Sequence, residues 1–145
     1  MKHLLLTTIA AVVLVGCGES APKISLFEAA VNGDIKAIKQ HIAAGADPNA
    51  KHPNKLDWLR MDEGIPLIGA IMYSPLKKDP DPWNIEVIEL LIVNGADVNV
   101  MTPRGKTMID ILKGFSRGEP QAKKVILLLR KHGGKTSEEL KAKGK

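Results

Sequence analysis

Ala44 to Ala50 reads AGADPNA, and Asn94 to Val100 reads NGADVNV. Two near-copies of one short phrase, each straight after an apolar run, constrain this chain more than any other feature, because internal repetition sets an architecture before any single element is read. Gly45 and Gly95 are placed as helix-terminating glycines in the left-handed conformation. The aspartate and asparagine that follow bond neighbouring backbone N–H groups and tolerate turn geometry. Each copy therefore reads as a helix stop that feeds a hairpin-like turn.

Upstream of the first stop, Ile35, Ile38 and Ile42 fall on one helical face. Upstream of the second, Ile85 to Val93 is apolar almost all round, as in a helix packed between neighbours. A third run, Val125 to Leu129, ends at His132-Gly133-Gly134, a weakened third stop. A shorter apolar segment precedes each of these helices: Leu26 to Ala30, Pro66 to Ile71 and Thr107 to Leu112. Pro66 suits a first helical turn. Thr107 with Asp110 has the form of a capping box. Asp81 is expected to cap the helix after it, with Pro82 in its first turn.

This pattern resembles the ankyrin repeat, a unit of roughly 33 residues in which a turn is followed by two helices. The resemblance covers Ile24 to about Lys135, and is strongest in SLFEAAVNGDIKAIKQHIAAGADPNAK, IEVIELLIVNGADVNV and RGKTMIDIL. Of the family's Thr-Pro-Leu-His-x-Ala motif, Pro66, Leu67 and Ala70 match in the second repeat and Thr107 in the third; the histidine position holds Phe27, Ile68 and Asp110. The resemblance implies an all-α solenoid of about three helix-turn-helix repeats with short hairpin-like turns, at residues 24–50, 64–100 and 104–135. It also implies partner binding through hairpin tips and the concave face of the short helices.

Gly45 and Gly95 lie 50 residues apart, about 17 more than one repeat. The excess divides into an insertion near 51–63, which enlarges a hairpin tip, and one near 73–82, between the two helices of the second repeat. A smaller insertion is expected near 114–120, and residues 136–145 read as a basic C-terminal tail. The two tryptophans, Trp58 and Trp83, sit at the two larger insertions. Tryptophan is enriched at binding hot spots, but it also pins loops by burying its ring. For Trp83 pinning is the favoured reading. For Trp58 both stand, and Trp58-Leu59-Arg60-Met61, with Arg104 on the neighbouring hairpin, is the expected partner-binding segment.

The N-terminus carries a different signal. Lys2 precedes an apolar run from Leu4 to Val15 that closes on Leu14-Val15-Gly16-Cys17, and Cys17 is the single cysteine of the chain. The run is shorter than the ~20 residues of a spanning helix but fits a secretory leader. Its end looks like the lipobox of bacterial lipoproteins. That resemblance implies a signal peptide at 1–16, lipidation of Cys17, and a tether at 17–23. Gly18 in place of an aspartate favours the outer membrane, facing the periplasm.

No phosphate-cradling loop, serine elbow or paired histidines at metal spacing appears. His52 with Asp57, Asp62 and Glu63 lacks ligand spacing, and Asp79 with Asp81 lacks the glycine turn and terminal glutamate of a calcium loop. His41 is expected to pack rather than ligate. Residues 17–100 hold 8 basic and 12 acidic side chains, whereas residues 101–145 hold 12 and 4. The expectation is a monomeric, lipid-anchored, non-catalytic binding or scaffold module with an unidentified protein partner, no cofactor, no metal and no nucleic acid. Its alternatives are a structural lipoprotein whose basic C-terminal end contacts anionic lipid or cell wall, and a metal-dependent hydrolase built on the inserted loops.

Overall fold

The computed structural model describes residues 22–52, 64–72, 83–115 and 120–143. Among these the chain is all-α, with seven helices, no sheet and two isolated antiparallel bridges. The helices are α1 (Leu26–Asn32), α2 (Ile35–Ala43), α3 (Pro66–Met72), α4 (Ile85–Val93), α5 (Met108–Phe115), α6 (Pro120–Lys131) and α7 (Ser137–Lys143). The first six form consecutive packed pairs, α1 on α2, α3 on α4 and α5 on α6, and α1 also packs on α3.

Local chemistry sets the ends of these helices. Ser25 caps α1 in a capping box with Glu28, and Asp34 caps α2 by accepting from the Ala37 N–H at 2.9 Å. At the end of α2, the Gly45 N–H reaches Ile42 O (2.9 Å) and the Ala46 N–H reaches His41 O (3.0 Å). The same pair of bonds closes α4, from Gly95 to Ile92 O and from Ala96 to Leu91 O, and α6, from Gly133 to Arg130 O and from Gly134 to Leu129 O. This is the Schellman arrangement, and it requires the left-handed φ that Gly45, Gly95 and Gly133 adopt. The weakened third stop is thus the same backbone device.

The repeated phrase does more than stop helices. Asp47 and Asp97 each accept from the backbone N–H two residues on, at 2.8 Å, folding the turn back on itself. That turn aims the asparagine at the next turn along. Asn49 donates to Gly95 O (2.9 Å) and accepts from the Asp97 N–H (2.7 Å). Asn99 does the same one step on, donating to Gly133 O (3.3 Å) and accepting from the Lys135 N–H (2.8 Å). Each asparagine staples its own turn to its successor.

The core is one continuous cluster running from Leu26 to Leu129, aliphatic except for Trp83 and Met108. Ile38, Leu67, Ile88, Leu91, Met108, Ile109 and Leu129 are among its fully buried members. At Gly69 a Cβ would lie 2.7 Å from the Phe27 ring, so α1 and α3 approach more closely than an alanine there would allow. His41, expected to pack, does so by pairing its Nε2 with Ile24 O at 2.7 Å, which ties down the entry to α1.

Two expectations need correction. Helix α4 begins at Ile85 and is capped by Asn84, whose side chain accepts from the Val87 N–H, so Asp81 is not its cap and Pro82 is not in its first turn. At the insertion expected near 114–120, Gly114 and Phe115 end α5 and Pro120 opens α6, and residues 116–119 lie outside the described residues. The segment expected as a basic tail forms α7, which is docked. Thr136 and Glu139 make its capping box, and the Ser137 N–H donates to Asp110 Oδ2 at 2.9 Å. Arg130 clamps Glu139 with both terminal guanidinium nitrogens. These polar bonds substitute for the apolar stripe that α7 lacks.

That docking predicts an acid response. Burial alone raises the Asp110 carboxyl, but donors from Ser137 and Thr107 outweigh it and hold the group at about 2, against an ordinary 3.8. The Arg130 guanidinium, and then the Thr136 N–H, hold Glu139 at about 2, against 4.5. Both folded values lie below the unfolded ones. Their stabilisation is therefore complete above the ordinary carboxylate range and is lost as pH falls toward about 2. The thermal midpoint should fall across that window. Asp110→Asn should lower the midpoint at neutral pH and flatten its acid dependence.

Candidate interaction surface

Two hairpin bases follow the stapled turns, which are joined by the bond from the Asp97 N–H to Asn49 Oδ1. In the second, Met101 bridges Thr107, and the turn between them is closed by bonds from the Thr102 N–H to Lys106 O (2.9 Å) and from Gly105 to Thr102 O (2.8 Å). Gly105 supplies the positive φ of 67° that so tight a turn needs. Arg104 stands exposed at this tip, and Met101 at its base is 48% exposed.

In the first hairpin the bridge is His52 to Gly64, with the His52 N–H donating to Gly64 O at 3.0 Å. Its position is fixed from below. The imidazole stacks on Phe27 with 5.8 Å between ring centroids and 13° between planes. A Cβ on Gly64 would lie 2.7 Å from His52 O, so only glycine permits this approach. Eleven residues, 53–63, lie between these bridge partners, against five in the neighbouring hairpin. The repeat spacing expects an insertion here. Trp58, Leu59, Arg60 and Met61 themselves lie outside the described residues, as does Cys17.

Trp83 is 5% exposed, and its indole Nε1–H donates to Ile71 O at 2.7 Å. It ties the entry of α4 to the end of α3, spending both its ring and its donor on the fold, so it offers a partner nothing. His52 is committed to the Phe27 stack. Among the described residues no cluster of three or more His, Cys, Asp or Glu is placed to hold a metal ion, and no helix is long and apolar enough to cross a membrane.

Two surface features were not anticipated from the sequence. A cleft of about 480 Å³ runs between α5 and α7, lined by Lys106, Asp110, Lys113, Ser137 and Glu139. It exists because α7 docks, which the polar composition of residues 136–145 concealed. The second is the outer face of α6, where Leu127 is 69% exposed among lysines. The run Ile126-Leu127-Leu128-Leu129 does not say which leucine points outward; the helix phase does. No family model, curated protein or solved structure matches the chain.

Proposed function

We propose that this protein is a lipid-anchored ankyrin-repeat module of the bacterial envelope that binds another protein through the enlarged hairpin tip at 53–63. The turn of Arg104 forms the adjoining part of the contact. The observation that carries the reading is the contrast between two neighbouring hairpins on one framework. One is closed after five residues, and the other is held at its base by a bridge and a ring stack while it carries eleven. A rigid base under a long excursion is how scaffolds present recognition loops. The consecutive helix pairs, the recurring Schellman stops and the asparagine staples support a repeat stack beneath it. Lipidation of Cys17, a periplasmic orientation at the outer membrane and a monomeric state belong to the same proposal. Lipidation rests on the lipobox-like Leu14 to Cys17, and the membrane assignment on Gly18 in place of an aspartate. No catalytic step is assigned.

Photocrosslinking in intact cells tests this. A photoreactive residue at Trp58 or at Arg104 should trap the same envelope protein, and one at Lys39, exposed on α2, should not. Adducts from Lys39 alone would place recognition on a different surface.

A further inference from the structure

We infer that the outer face of α6 is a contact surface for an anionic lipid bilayer. The helix carries four cationic residues, Lys123, Lys124, Arg130 and Lys131, and no acidic one. Ala122, Val125 and Leu129 are buried against the core, which fixes its rotation. At 3.6 residues per turn, Lys123, Lys124, Leu127 and Lys131 then fall within one arc of about 100° directly opposite the core, along roughly 12 Å of helix. All four are exposed, and Leu127 stands at the centre of the arc. Arg130, at the edge of this arc, is spent on Glu139. Among the described residues none of the three lysines has an ion-pair partner.

An uncovered leucine flanked by unpaired lysines on one helix face is the arrangement that lies flat at a headgroup layer. The ammonium groups meet lipid phosphates while the apolar side chain enters the acyl boundary. A single folded helix has too narrow a face for tight binding, and each lysine near an anionic surface contributes roughly fivefold in affinity. The contact therefore orients a domain already near a membrane rather than recruiting one from solution. Glu86 and Glu89, exposed on the outer side of α4, would be repelled by the same surface, so the domain lies down on its α6 end. This face acts independently of the hairpin tip, and the test removes Cys17 so that no lipid anchor contributes.

The test places an environment-sensitive fluorophore at Leu127→Cys in the full chain carrying Cys17→Ser, so that the label is unique and reads this face alone. With vesicles of phosphatidylglycerol and phosphatidylethanolamine in equal parts, the emission should shift to the blue. Added salt should reverse the shift, and phosphatidylcholine vesicles should give none. Changing Lys123, Lys124 and Lys131 to Gln should weaken the response on the order of 100-fold, with the helical signal unchanged. No shift on the anionic vesicles overturns the inference, even if the chain sediments with them through another segment. An equal shift on phosphatidylcholine also overturns it, and so does a shift with poly-glutamate but not with lipid, which would assign the face to an acidic protein.

Discussion

Trp83→Ala should lower the free energy of unfolding by about 3–5 kcal/mol. Two losses combine at this site. The indole ring, 5% exposed, leaves a cavity between the end of α3 and the start of α4, and Ile71 O loses the donor that reaches it at 2.7 Å. A domain of this size is stable by roughly 5–15 kcal/mol in total, so the change consumes a large share of the margin. Trp83→Phe separates the two terms. It keeps most of the buried ring, forfeits the hydrogen bond, and should cost only about 1–2 kcal/mol. Urea titration followed by far-UV circular dichroism reads both variants without depending on the removed fluorophore. Equal midpoints for Trp83→Ala and the parent chain would mean that Trp83 does not tie the start of α4 to the end of α3.

Much of this fold can be read along the chain wherever a short-range rule governs it. The run Ile85 to Val93 coincides with α4 because a helix buried on most sides has to be apolar on most sides. Thr107 with Asp110 caps α5 as the spacing suggests, since both partners of a capping box lie within one turn. Legibility fails where the partner is distant in sequence. Asn49 looks like a turn residue, and it is one. Its larger role, stapling the turn to Gly95 and Asp97, depends on groups 46 and 48 residues away. Helix α7 was hidden for a related reason. Its order comes from Asp110 and Arg130, on two other helices, rather than from any apolar period of its own.

The candidate site divides in the same way. The excess spacing between Gly45 and Gly95 can be read along the chain, and so can the place of Arg104 on the neighbouring hairpin. What fixes the base was not visible. The stack of His52 on Phe27 joins a loop to the first helix, and the glycine requirement at Gly64 arises from a backbone oxygen on the opposite strand of the hairpin. The sequence favoured pinning over binding for Trp83, and its buried ring together with the N–H bond to Ile71 O agree with pinning.

The most direct measurement of the central claim replaces residues 53–63 with a short turn while keeping the bridge from His52 to Gly64. Because the described helices carry the packing, the shortened protein should retain its helical signal and its cooperative unfolding. The same bridge closes either length, so the staple from Asn49 to Asp97 and the tip bearing Arg104 should stay in place. Capture of the envelope partner trapped from position 58 should then be lost, and Trp58→Ala alone should weaken it by at least ~2 kcal/mol, as expected of a hot spot. A shortened protein that folds and still binds this partner with undiminished affinity would contradict the account.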